Sequence, residues 1–78
     1  MSREIIIKAF AVALDLPAGT DIEALELGVN PQWDSIGHMA LVAELEERFG
    51  IALDTEDLIA MNTFAASIEI LKRYGVAL

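Results

Sequence analysis

The sequence contains no cysteine. That rules out a disulfide framework, a thiolate metal site and a protein thiol nucleophile. Basic residues are scarce: five Lys and Arg stand against thirteen Asp and Glu, for a net charge of −8. Nucleic acids and anionic membrane surfaces select basic faces, so this balance argues against both as partners. It suits partners that carry basic docking patches. Long apolar runs are missing as well. Ala9 to Leu14 is the nearest candidate, preceded by Arg3 and Lys8. Glu4 falls where a signal peptide would be basic, the run is short, and Asp15 follows at once. Nothing approaches a membrane span, and the expected location is cytoplasmic. No repeat, low-complexity tract or internal linker interrupts the chain.

What is present is apolar and helical in its spacing. Seventy-eight residues, 55% of them hydrophobic, predict one domain over 1–78 with enough apolar material for a small core. Ile6, Phe10 and Leu14 recur every four residues, with Ile7 and Ala11 adjacent, and predict a helix over 2–14 capped by Ser2. Pro17, Gly19, Gly28 and Pro31 mark a long loop over 15–31. Asp21 to Leu27 is expected to form a loose helical turn, and Leu25, Leu27 and Val29 to tuck inward. A loop this long in a small domain is functional or disordered. This one delivers Trp33-Asp34-Ser35, which favours function.

The organising stretch is W-D-S-I-G-H-M-A-L-V-A-E-L-E-E-R-F-G, from Trp33 to Gly50. It predicts a helix with Asp34 or Ser35 as cap and Gly50 as stop. Leu41, Leu45 and Phe49, with Val42 beside them, form a core stripe. Ile36, Ala40, Ala43 and Glu47 form a second face bordered by Glu44 and Glu46. A helix apolar on two sides buries both or keeps one for docking, and the acidic border favours docking. Beyond Gly50, Asp54 or Thr55 is expected to cap a brief helix over 56–61. Asn62 or Thr63 then caps a last helix over 64–74, with Phe64, Ile68 and Leu71 on one face and Gly75 as its end.

Ser35 stands where a helix N-terminus offers unpaired N–H groups and a partial positive charge, a setting that favours a phosphate. In a generic sequence, D-S before an apolar helix is no more than a cap. Here D-S-I-G-H-M, the following L-V-A-E-L-E-E-R-F-G-I, the short acidic chain and the helix order together resemble the acyl carrier protein family. The resemblance implies an all-α fold: a small four-helix bundle, three longer helices and one short, with a long loop between the first and second. It implies 4′-phosphopantetheine carried covalently on Ser35, added from coenzyme A by a phosphopantetheinyl transferase whose own metal and base activate the hydroxyl. With no cysteine in the chain, the sulfur of a thioester carrier must come from that arm. An acyl-loading ligase or synthase and downstream biosynthetic enzymes are the implied partners, and the chain itself is a non-catalytic, monomeric carrier. By the same similarity Asp34 and Ile36 flank the attachment site and touch partners. Met39 lies at a pocket between the second and third helices, and Glu46 and Glu47 meet basic partner residues.

Departures from the family pattern narrow the pathway. Gly37 takes a position that is often acidic in fatty-acid carriers, Ala40 and Ala43 replace larger or charged residues, and Trp33 is unusual before the motif. These favour a stand-alone carrier of a specialised pathway, such as polyketide-type secondary metabolism or surface-glycan assembly, over housekeeping fatty acid synthesis. Two other readings stay open: an aminoacyl or peptidyl carrier, and an unmodified acidic helical module with Ser35 as a cap. His38, three residues after Ser35, could form a Ser–His dyad, but no orienting group or oxyanion loop accompanies it; a place at the core edge or pocket mouth suits it better. Asp54, Glu56 and Asp57 lack the glycine and terminal glutamate of a calcium loop, so no specific metal site is expected. A net charge this far from zero strains the compact state by self-repulsion. Added salt or a divalent cation should therefore raise the melting temperature; a value unchanged between low and high ionic strength would contradict this.

Overall fold

The computed structural model describes residues 2–78; residue 1 of the expected domain lies outside the described residues. The fold is all-α: α1 (Ser2–Ala13), a 3-10 turn (Ile22–Ala24), α2 (Ser35–Phe49), α3 (Thr55–Ala60) and α4 (Phe64–Arg73). No strand forms among the described residues beyond one isolated bridge, Glu26 with Thr63. The order is the expected one of three longer helices and one short.

With so few aromatic residues, the core is built around one meeting point. Phe10 of α1 packs edge-on against Trp33, with ring centres 5.2 Å apart, and against Phe64 of α4 at 5.3 Å. Such edge-to-face pairs add roughly 0.5–1.5 kcal/mol to the burial of the rings. Ile6 and Leu14 of α1, Leu41, Val42 and Leu45 of α2, and Ile70 and Leu71 of α4 close around them. The α1 stripe is thus as expected along Ile6, Phe10 and Leu14, but its buried neighbour is Ala9, and Ile7 is exposed. Phe49 and Ile68 lie half-buried at the core margin.

Helix ends correct several expected boundaries. Ser2 is a helical residue of α1, not a cap outside it. At the other end α1 stops at Ala13, one residue early, because Asp15 adopts a left-handed conformation (φ 52°) and the Leu16 N–H reaches back to the Ala11 carbonyl at 3.0 Å. Asp is one of the few non-glycine residues that tolerate this geometry. Gly50 does the same job for α2 at φ 63°, with the Ile51 N–H donating to the Glu46 carbonyl at 3.1 Å. Trp33 lies outside α2, which opens at Ser35. Asp54 precedes α3 without a side-chain cap bond, whereas the Thr63 hydroxyl caps α4 through the Ala66 N–H at 3.0 Å.

The connection between α1 and α2 is ordered by hydrogen bonds within itself and to the link between α3 and α4. The Leu27 N–H donates to the Asn62 carbonyl at 3.0 Å, the Glu26 N–H to Asn30 Oδ1 at 2.9 Å, and the Gly28 N–H to the Trp33 carbonyl at 2.9 Å. The expected helical turn shrinks to Ile22–Ala24. Leu25 is buried and Leu27 half-buried, as anticipated, but Val29 points outward at 68% exposure. Its N–H closes a turn onto the Glu26 carbonyl, and that turn aims the side chain away from the core.

Four of the five cations are tied into ion pairs: Arg3 with Glu23, Arg48 with Glu44, Lys72 with Glu69 and Arg73 with Asp57. Among the described residues, most acidic side chains are left without a cation. The Asp57 carboxylate also accepts from the Tyr74 hydroxyl, whose oxygen in turn accepts from the Asp54 N–H at 3.0 Å. The Tyr74 bond, helped by the Arg73 charge, holds Asp57 below its ordinary 3.8. On Tyr74 the Asp54 N–H pulls downward, but the Asp57 bond, burial and the nearby carboxylates together raise it above its ordinary 10.0. A lowered carboxylate pKa stabilises the fold above the ordinary carboxylate range, and that contribution is lost as pH falls through the lowered value. A raised phenol pKa stabilises below the ordinary phenol range, and is lost as pH rises through the raised value. Tyr74→Phe should therefore destabilise by a constant amount between about pH 5 and about pH 9 and by less at either extreme. Denaturation midpoints of the two proteins across pH test this; a gap that does not narrow in acid would refute it.

Candidate functional site

The turn into α2 divides its labour between two neighbouring residues. Asp34 is extended (φ −95°, ψ −174°), and its Oδ1 accepts the Gly37 N–H at 2.7 Å, while its carbonyl accepts the His38 N–H at 2.8 Å. A side-chain cap of this kind contributes about 1 kcal/mol. Because Asp34 caps the helix, Ser35 does not have to. Ser35 is exposed, and no hydrogen bond engages its hydroxyl among the described residues. The N–H groups of Ser35 and Ile36 also lack protein partners among the described residues. An exposed, uncommitted hydroxyl beside free helix N–H groups fits a phosphate ester.

Beside Ser35 lies an open hollow of about 430 Å³, lined by Leu27, Gly28, Asp34, Ser35, His38 and Met39. Met39 borders this hollow between the loop and α2, and no residue of α3 lines it. The second face of α2 is open to solvent: Ile36 is 82% exposed and Met39 56%, with Ala40, Ala43 and Glu47 exposed alongside. Apolar residues at this helical spacing make one continuous strip, which marks an interaction surface more than scattered single residues do. Glu46 is half-buried, and its Oε2 accepts the Leu53 N–H at 2.8 Å, fixing the link after α2. Glu47 makes no ion pair among the described residues.

His38 is 5% exposed and fully engaged. The Trp33 Nε1–H donates to its Nδ1 at 3.0 Å, and its Nε2 lies 2.6 Å from the Leu58 carbonyl oxygen. An indole nitrogen can only donate. Nδ1 is therefore the acceptor, and the proton sits on Nε2, which donates to Leu58. No ring lone pair is left to deprotonate Ser35, which removes the Ser–His dyad. Sequence reasoning placed His38 at the core edge or pocket mouth but missed its bonds to Trp33 and Leu58; the W-x4-H spacing around the cap was the one available signal.

Gly37 is a close-approach glycine. A Cβ there would stand 2.9 Å from the Gln32 carbonyl oxygen, 2.9 Å from Leu14 Cδ2 and 3.2 Å from Asp34 Oδ1. Any side chain at this position would press on these atoms. Asp57, from the acidic group after Leu53, is committed to Tyr74 and Arg73.

These features define a class: a small helical domain that presents an exposed serine hydroxyl at a helix N-terminus next to an apolar, acid-edged face. A family model described as the phosphopantetheine attachment site matches residues 4–71. The chain belongs to that family. It is a phosphopantetheine-carrying carrier protein, a non-catalytic carrier to which 4′-phosphopantetheine is attached covalently. Comparison with curated proteins and with solved structures gave no match. Carriers of this family work with a phosphopantetheinyl transferase and with biosynthetic enzymes.

Replacing Gly37 with Ala gains up to about 1 kcal/mol of helix propensity but forces a contact against backbone. Overpacking of this kind costs about 1–3 kcal/mol. Gly37→Ala should be less stable than the parent in urea denaturation; equal or greater stability would show that the turn yields freely.

Proposed function

We propose that Ser35 is the residue that carries the arm, and that the chain holds an acyl or aminoacyl group as a thioester for delivery to biosynthetic enzymes. The observation that carries this reading is the release of the Ser35 hydroxyl from capping, which Asp34 performs in its place. The bound group supplies the terminal thiol that the chain lacks. The chain's own residues do the rest. Asp34 holds the turn, the unpaired Ser35 and Ile36 N–H groups would hold the phosphate, and Ser35 offers its oxygen. With both ring nitrogens of His38 committed, the base that takes the Ser35 proton belongs to the transferase. The apolar side chains of Leu27 and Met39 in the hollow support an acyl cargo over an aminoacyl one.

Ile36, Met39 and Glu47, with Asp34 at the rim, are the proposed contact residues for a transferase, a loading ligase or synthase, and downstream enzymes. Glu46 contributes to this face with the oxygen left free by Leu53. Family membership favours a carrier over an unmodified acidic module. The departures at Gly37, Ala40 and Ala43 support a specialised pathway over housekeeping fatty acid synthesis.

Intact mass after incubation with coenzyme A, Mg²⁺ and a promiscuous transferase tests the site. The parent should gain one phosphopantetheine and Ser35→Ala none. A gain on the Ser35→Ala variant, or none on the folded parent, would overturn the assignment.

A further inference from the structure

Of the four helices, α3 is the least anchored by burial: none of its six residues is buried. Beyond the half-buried Leu58, which packs against the core, polar contacts hold it. At its N-terminal half the Tyr74 hydroxyl and Arg73 reach Asp54 and Asp57 from α4 and its end. At its C-terminal half the Leu58 carbonyl is reached from α2, by His38 alone among the described residues. The other nitrogen of the same ring receives the Trp33 indole, and Trp33 is wedged against Phe10 just before the cap. One buried imidazole therefore spans the Ser35 turn and α3.

We infer that His38 is a positioning residue, a two-ended strut whose Nδ1 fixes the Trp33-Asp34-Ser35 turn and whose Nε2–H fixes α3, so that the carrier turn and α3 keep one relative placement. Its consequence for Ser35 rests on the reading above; the strut itself does not. The two ends are chemically distinct. Nδ1 must accept, because the indole only donates, and Nε2 must donate, because a carbonyl only accepts. Asn and Gln separate them. The short Asn amide puts an acceptor near the place of Nδ1, and the longer Gln amide puts a donor near the place of Nε2.

The unmodified chain serves for the test, so its outcome is independent of whether Ser35 carries the arm. Nitrogen chemical shifts of the His38 ring at neutral pH should show a bare Nδ1 and a protonated Nε2; any other tautomer overturns the inference. Amide and indole hydrogen exchange should then split by variant. In His38→Asn the Trp33 indole N–H stays protected, while the Leu58, Ile59 and Ala60 amides exchange up to about tenfold faster, as the loss of one hydrogen bond implies. In His38→Gln the α3 amides stay protected and the Trp33 indole exchanges faster. Equal acceleration at both ends in both variants, or loss of the fold in both, would make His38 an ordinary core residue and overturn the inference.

Discussion

The structure hangs on the burial of one indole N–H. Trp33 is fully enclosed, and an unsatisfied donor in such a place costs on the order of 1–3 kcal/mol. A single lone pair, on His38 Nδ1, answers it. That pairing fixes the histidine tautomer, and the tautomer leaves Nε2–H for the Leu58 carbonyl. Phe10 holds the other side of the indole. Once Trp33 is pinned inside, the chain has two residues in which to turn and begin α2. Asp34 starts the helix, and Ser35 emerges at the surface.

The same economy governs the acidic residues. Those that hold the fold are half-hidden and bonded inward: Glu46 on the Leu53 N–H, Asp57 on Tyr74 and Arg73, Glu44 on Arg48. Glu47 and the strip of Ile36, Met39, Ala40 and Ala43 stay open to solvent. Charge is thus sorted into an internal share and an external one. With nearly every cation already paired inside the molecule, a basic partner meets little internal competition for the external share.

Much of this was legible in the sequence. Helical spacing exposed α1, α2 and α4, because each buries a stripe set by the turn of the helix. The D-S pair before an apolar run marked the start of α2, and the acyl-carrier resemblance pointed to the family. What stayed hidden depends on contacts between distant residues. Asp15 ends α1 through a left-handed turn that no glycine announces. Whether Asp34 or Ser35 caps α2 depends on which side chain reaches the Gly37 N–H. Val29 looks like a core residue until the turn at Glu26 rotates it outward. The hollow beside Met39 is made by a loop, not by α3, and loop placement has no periodic signature.

The crowding around Gly37 bears on how such domains can be recombined. Its missing Cβ is the space occupied by the Gln32 carbonyl and a Leu14 methyl, so α2 and the two segments beneath it form one fitted set. An α2 taken from a carrier with a side chain at this position would push against backbone from the preceding loop. Exchange of α2 between this chain and its relatives is therefore not a matter of grafting one helix. The loop ahead of α2 has to travel with it, and so does the end of α1.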